Sequence, residues 1–244
     1  MKLYVGILHS GENEFSDCVR SVKAQDYKDF EIFVIEGLGK KQALDTMHEN
    51  FSKSGFDVLV NVGADTVLLH HMLFTNVINN IKENPVIQHY SIALHDFFSD
   101  QLIWGLNFYH DIEWKKGDEQ VFTDFIPKIR MVQDLDILAP AAIHCPNPGL
   151  FQSFHYGAHK AIKILECHRR GWMEKMEYYR DIIRKTYNSF LETNDIRRSM
   201  CIVGSKFAIA KGLGPEHLDY TNPYLRGEFD KLFVGFEKFL KGKE

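Results

Sequence analysis

The sequence predicts an α/β protein, an open and mostly parallel sheet flanked by helices, with a helical C-terminal extension. Three observations carry that prediction. Strand and helix patterns alternate along the first third of the chain, early strands such as VLVNV are apolar with little alternation as in a sheet covered on both faces, and the pattern beyond Pro148 is almost wholly helical. Composition agrees: 244 residues that are 45% hydrophobic and 25% charged can bury one substantial core, and they exclude a disordered, collagen-like or coiled-coil chain.

LYVGILH (3–9) reads as the first strand. FSDCVRSVKAQ (15–25) sets Phe15, Val19 and Val22 at helical spacing, and FEIFVIEG (30–37) returns to a strand. KKQALDTMHENFSKSG (40–55) is a helix ended by Gly55, and FDVLVNVGAD (56–65) supplies the third strand. Short crossovers of this kind build an open sheet that binds ligands beyond the carboxyl ends of its strands. His9-Ser10-Gly11-Glu12-Asn13, Glu36-Gly37-Leu38-Gly39-Lys40-Lys41 and Gly63-Ala64-Asp65-Thr66 therefore share one rim.

A helix through HHMLFTNVINNIKEN (70–84) precedes two further strands, PVIQHYSIALHDFF (85–98) and LIWGLNFYH (102–110), the second carrying Gly105 between bulky neighbours. The polar stretch DIEWKKGDEQ (111–120) leads to a short helical segment, VFTDFIPKIR (121–130), and DLDILAPAAIHC (134–145) reads as another strand before PNPG breaks the chain. From Phe151 to Asp195 the pattern is helical, MCIVGSKFAIAKG (200–212) is a shorter apolar segment, and the tail from Phe229 aligns Leu232, Phe233, Phe236 and Phe239 with it on one helical face. That face predicts a packed terminal helix; its basic end leaves peripheral membrane contact open. Residues 1–149 form the α/β unit and 150–244 a mainly helical region completing the same domain.

Charge and cysteine content narrow the function classes. Lys and Arg total 29 against 33 Asp and Glu, a net charge of −4, so no field-wide attraction to nucleic acid is expected, and only the local Arg/His clusters leave it open. Cys18, Cys145, Cys167 and Cys201 lack the paired spacing of a zinc site and the density of a disulfide scaffold, which predicts reduced thiols and a cytoplasmic protein. The first apolar run is too short for a signal-peptide core, and no stretch approaches the roughly 20 apolar residues that span a bilayer.

SVKAQDYKDFEIFVIEG (21–37) resembles the opening of family-two glycosyltransferases, where a first strand and helix lead into S-x-x-x-Q-x-Y-x-x-F-E-I-x-V-x-D. Ser21, Gln25, Tyr27, Phe30, Glu31, Ile32 and Val34 fall in place. GKKQALDTMHENFSKSGFDVLVNVGADTVL (39–68) resembles the family's later stretch G-K-x-x-A-L-N … D-x-L-x-x-x-D-A-D-T-x-L. The resemblance implies a GT-A fold and transfer of a sugar from a nucleotide-diphosphate donor to an acceptor hydroxyl, with Mn2+ or Mg2+ held at the end of the third strand. The metal has a physical reason: charge develops on the leaving diphosphate as the glycosidic bond breaks, and a divalent cation stabilises it.

Asp65 occupies the metal-binding place, although Gly63 replaces the first acid of the family's D-x-D. A loop Asp that caps the following helix is the structural alternative. Glu36 stands where the family contacts the base or ribose, one methylene longer than the usual acid, and could equally be a solvated turn residue. Ser10, Glu12 and Asn13 follow the first strand, where the family contacts the nucleoside; Ser10 and Asn13 could instead cap the next helix. Lys40 and Lys41 can meet a diphosphate as point charges or remain a solvated helix start.

His144 stands in the chain order where many GT-A proteins supply a histidine to the metal, and imidazole suits Mn2+ better than Mg2+. A structural histidine is the alternative. Asp118 and Glu119 resemble the acidic pair that takes the acceptor proton, with Asp124 in reserve and a charged surface loop as the other reading. Phe151, Phe154, His155, Tyr156, His159 and Lys160 could border a sugar pocket, but Phe151, Phe154, Ala158 and Ile162 fit a core stripe. His168-Arg169-Arg170 and Arg197-Arg198 are either an anionic-acceptor surface or solvated faces.

The expectation is thus a metal-assisted, inverting glycosyltransferase that takes a nucleotide sugar and an acceptor in a glycan, a lipid-linked glycan or a protein. A nucleotidyltransferase of sugar phosphates is the second enzymatic reading, weakened because HSGENEF lacks the Gly-rich cationic loop such enzymes place after strand one. A GT-A-like binding scaffold without catalysis is the third, and it takes Gly63 at face value.

Overall fold

The computed structural model describes residues 1–112, 131–132 and 140–241, with backbone alone at 131–132 and 235–241. Asp118, Glu119, Asp124 and the helical segment expected at 121–130 lie outside the described residues. The chain divides into two compact units, Met1–Pro148 and Gly149–Glu244.

In the first unit the elements run β1 (Leu3–His9), α1 (Phe15–Lys23), β2 (Phe30–Glu36), α2 (Lys40–Ser54), β3 (Val58–Gly63), β4 (Thr66–Leu68), α3 (Leu73–Glu83), β5 (His89–Asp96), β6 (Gln101–His110), β7 (Met131–Val132) and β8 (Ala142–His144). They form one mixed α/β sheet in the order β2-β1-β3-β6-β5-β8-β4, with β7 beside β5. Strands β1, β2, β3, β5, β7 and β8 run one way; β6 and β4 oppose them. The open, mostly parallel sheet flanked by helices expected from the sequence is therefore present.

Apolar runs explain the centre of this sheet. Leu3, Val5, Ile7, Val58, Val60 and Val62 are fully buried on one face, while Tyr4 and Leu59, on the other, pack with Leu44, Met47 and Phe51 of α2 and Tyr109 of β6. Gly55, in the left-handed region at φ 71°, ends α2 as expected. The residues of the S-x-x-x-Q run have structural tasks. Ser21 Oγ accepts from the Leu68 N–H at 3.0 Å, and buried Gln25 donates to the His70 carbonyl (2.9 Å) while accepting from the Phe74 N–H (3.2 Å), which fastens α1 to β4 and the start of α3.

Two elements differ from expectation. TVL, to which the sequence pattern assigns no element of its own, turns back after the third strand as β4 and pairs antiparallel with β8. The strand expected over 134–145 is described only at Ala142–His144.

The second unit is helical: α4 (Leu150–Arg169), α5 (Met173–Thr193), α6 (Ile196–Lys211) and α7 (Pro223–Lys241). Phe151, Phe154, Ala158 and Ile162 of α4 are buried, the core stripe that the sequence offered against a sugar pocket. MCIVGSKFAIAKG is the body of α6. There Gly204 abuts the Phe154 carbonyl of α4, as Gly157 abuts the Cys201 carbonyl of α6, so the two helices meet backbone to backbone. The basic clusters are paired locally: Arg169 and Arg170 with Glu166, and Arg197 with Asp195. Phe229 is buried, whereas Leu232 and Phe233 of the same expected face are 44% and 36% exposed; the side chains of Phe236 and Phe239 lie outside the described residues. No helix among the described residues is long and apolar enough to cross a membrane.

Candidate functional site

The carboxyl end of β3 is where the sheet brings chemistry together. After Gly63 the chain turns through Ala64 and Asp65 into β4, and the antiparallel register sets Thr66 opposite His144. On its other side β8 runs parallel to β5 with Asp96 beside His144. His144 is thus bracketed by two carboxylates: its Nδ1 lies 2.8 Å from Asp96 Oδ1 and its Nε2 lies 3.3 Å from Asp65 Oδ2. Asp96 is fully buried, and its second oxygen accepts from the Ser99 N–H (2.9 Å) and hydroxyl (2.6 Å).

Cys145 completes the group. Its N–H donates to the Asp65 carbonyl at 2.7 Å, and its φ of 52° holds it in a region that side chains other than glycine enter at a cost of about 1–2 kcal/mol. The Sγ atom lies 3.5 Å from Asp65 Oδ2 and 3.7 Å from His144 Nε2. Gly63 has a local reason too. A Cβ there would lie 2.6 Å from Asp65 Oδ1, so the carboxylate leans over the very position from which the family's first acid projects.

Charge follows from this packing. Burial pushes the Asp65 carboxyl up, yet the His144 charge and the hydrogen bonds from His144 and Cys145 prevail and lower it to about 2. Burial opposes the His144 imidazolium, but Cys145, Asp65 and Asp96 outweigh it and hold its pKa well above the ordinary histidine value. The Cys145 thiol is pushed up, mainly by burial. Glu12 is also raised, by burial and then by the Asp65 charge. A quarter of the Asp65 side chain stays exposed, at 25%, so the cluster opens to solvent through that residue.

The donor set fits a divalent cation. Asp65, His144 and Cys145 offer an oxygen, a nitrogen and a sulfur within 4.8 Å of one another. With Nδ1 directed to Asp96, His144 aims Nε2 toward Asp65, and loss of the Nε2 proton to a cation would leave the carboxylate–histidine arrangement that orients metal-binding imidazoles.

Of the other residues expected at the rim, Glu12 is brought nearest in effect: it feels the Asp65 charge, and its carboxylate accepts from the Ser10 N–H at 2.6 Å. Asn13 donates to the Asn147 carbonyl at 3.4 Å, which ties the loop after β1 to the loop after β8. Glu36 is 68% exposed at the end of β2, with His9 Nδ1 3.2 Å away, and the His9 ring stacks on Phe15 with centroids 4.0 Å apart. Lys41 is engaged by Asp45 one helical turn on, at 2.9 Å. Neither Ser10 nor Asn13 caps α1, which has no side-chain cap.

Sequence reasoning missed Asp96 and Cys145. The cysteines form no disulfide, as expected, but spacing along the chain hid the alliance of Cys145 with Asp65, eighty residues away. The available signals were an aspartate closing a strand and the adjacency of His144 and Cys145 before PNPG.

No family model matches the chain, and no curated protein matches it. Among solved structures, S. aureus TarS is similar at 14% identity and a TM-score of 0.27, over 39% of this chain and 21% of its own. The chain therefore spans about a fifth of TarS. The mannosyltransferase PcManGT from Pyrobaculum calidifontis, in complex with GDP-Man and Mn2+, is similar at 10% identity and a TM-score of 0.45, over 86% of this chain and 74% of its own. A197 from STIV is similar at 14% identity and 0.36, over 54% and 80%. Likeness at these scores assigns no activity.

Proposed function

We propose that this protein is a glycosyltransferase whose first unit binds a nucleotide-diphosphate sugar with the help of a divalent cation. One observation carries the proposal: Asp65, at the carboxyl end of the central strand β3, faces His144 at 3.3 Å on the rim where open α/β sheets bind ligands. The resemblance of residues 21–68 to family-two glycosyltransferases supplies the reaction class. A bound cation would neutralise the charge that develops on the leaving diphosphate.

The chain's own groups divide the remaining work. Asp65 and His144 hold the cation, and Asp96 keeps the imidazole turned toward it. Glu36 accepts hydrogen bonds from the nucleoside at the end of β2, with the Ser10–Glu12 loop flanking it; Lys41 would have to leave Asp45 to reach a phosphate. Asp118 or Glu119 takes the acceptor proton, the base that an inverting displacement at the sugar carbon needs. Gly63 speaks against a scaffold that has lost its acids, because its missing side chain is what leaves room for the Asp65 carboxylate.

Calorimetry with UDP, GDP and CMP sugars, with and without Mn2+, tests the reading. Cation-dependent binding that weakens by at least about 10-fold in Asp65→Ala is expected. Absence of binding to every nucleotide would overturn it, and pyrophosphate release from a nucleoside triphosphate and a sugar phosphate would replace it with the nucleotidyltransferase reading.

A further inference from the structure

We propose that Cys145 is a third protein ligand at this site, so that Asp65, His144 and Cys145 together select a four-coordinate transition ion of the Zn2+ class over Mg2+. The inference rests on the cation-binding part of the proposed function and goes beyond it, because it names the sulfur donor and the kind of ion.

The edges of the donor triangle carry the argument. In a tetrahedral Zn2+ site, with nitrogen and oxygen at about 2.0–2.1 Å and sulfur at about 2.3 Å, neighbouring N and O donors lie about 3.3 Å apart and sulfur lies about 3.6 Å from each. The three atoms here are separated by 3.3 Å (His144 Nε2 to Asp65 Oδ2), 3.5 Å (Cys145 Sγ to Asp65 Oδ2) and 3.7 Å (Cys145 Sγ to His144 Nε2). They already outline one face of such a tetrahedron. Octahedral Mg2+, bound at about 2.1 Å, sets adjacent oxygens about 3.0 Å apart and takes neither thiolate nor imidazole readily.

Two further features fit a built site. The Cys145 backbone is held at φ 52°, with its N–H on the Asp65 carbonyl, and its Sγ lies toward the carboxylate and the imidazole. Behind the imidazole stands Asp96, fully buried and fixed by Ser99, so Nε2 has one direction. Ligation exchanges two protons for the ion: the Sγ–H and Nε2–H bonds break, both protons leave to solvent, and the sulfur and nitrogen lone pairs bond the metal. Three protein donors leave the fourth position open, as catalytic zinc sites do, for a phosphate oxygen or water.

The full chain, stripped with chelator and titrated with Co2+ and Zn2+, tests this without reference to activity. Expected are a thiolate-to-cobalt charge-transfer band in the near ultraviolet, the intense visible bands of four-coordinate Co2+, and displacement of both by Zn2+ but not by equimolar Mg2+. Cys145→Ser should abolish the near-ultraviolet band, whereas Asp96→Asn should keep it and weaken Zn2+ binding by roughly 10–100-fold. X-ray absorption at the zinc edge of the wild-type protein needs no variant and should find one sulfur at about 2.3 Å. Metal binding without the band or the sulfur, and of equal strength in Cys145→Ser, would overturn the inference and leave cation binding by Asp65 and His144 intact. Failure of the wild-type protein to bind any of these ions would overturn both.

Discussion

At the scale of single residues, the site turns on how little room Asp65 has. A Cβ at Gly63 would press on Asp65 Oδ1 at 2.6 Å, so introducing an acid there, as in the D-x-D that this stretch resembles, should harm Asp65. Gly63→Asp is expected to lower Mn2+ or Zn2+ affinity on the order of 10-fold by displacing that carboxylate. Metal titration checks it, and tighter binding in the variant would show that the two acids cooperate. Away from the site, His48 of α2 is buried with its ring 5.6 Å from that of Tyr109, and burial lowers its pKa to about 4 against the opposing pull of Asp45. Above about pH 6.5 the ring is neutral in both folded and unfolded chains. As pH falls from there toward about 4, the unfolded chain takes a proton that the folded chain refuses, and stability is lost across that window, up to about 3 kcal/mol. His48→Leu should remove this component: the difference in urea-unfolding free energy between wild type and variant should shrink or reverse between pH 7 and pH 4.5, and a difference independent of pH would count against it.

At the scale of elements, close approaches set what the helices tolerate. Gly204 of α6 and Gly157 of α4 each face a backbone carbonyl of the other helix, so a methyl group at either position must push the axes apart. Gly204→Ala should cost about 2–3 kcal/mol despite alanine's better helix propensity, read as a lowered thermal midpoint; a stabilised variant would mean that the helices do not meet as described. Gln25→Ala should cost about 1–3 kcal/mol by leaving the Phe74 N–H and the His70 carbonyl without their side-chain amide, and chemical denaturation would register it. The same elements mark what the sequence could convey. Strands β1 to β3 were legible because LYVGILH, FEIFVIE and VLVNV are largely apolar with little alternation, and α2 because Gly55 stops it. Strand β4 was not: three residues carry no period, and TVL becomes a separate strand only through its pairing with β8. Asp65 and His144 were legible as polar residues closing strands, whereas Asp96 and Cys145 join them only through the β5–β8 register and one left-handed residue, both consequences of long-range pairing that no local pattern encodes.

At the scale of the whole molecule, charge decides how a donor could be captured. With 29 basic against 33 acidic residues the protein presents no general attraction to a diphosphate, and at the rim Asp65 flanks the His144 imidazolium, buried Asp96 stands behind it, and Glu12 lies near enough to feel the Asp65 charge. A nucleotide diphosphate entering without a cation would face like charges a few ångströms away, and at an effective dielectric of about 20 each such pair costs about 3–4 kcal/mol at close range before screening. A bound ion would therefore, under the proposed function, act on binding as well as on the leaving group. Under the proposed function, chelation should weaken nucleotide-sugar affinity by on the order of 100-fold or more, with the free nucleoside, which lacks the diphosphate, much less affected. Paired titrations of the nucleoside and its diphosphate sugar, each with EDTA and with metal, measure the contrast. If chelation left the diphosphate as tightly bound as before, the cation would have no part in donor capture, and attraction would have to come from cations on the rim, with Lys40 and Lys41 the first to substitute.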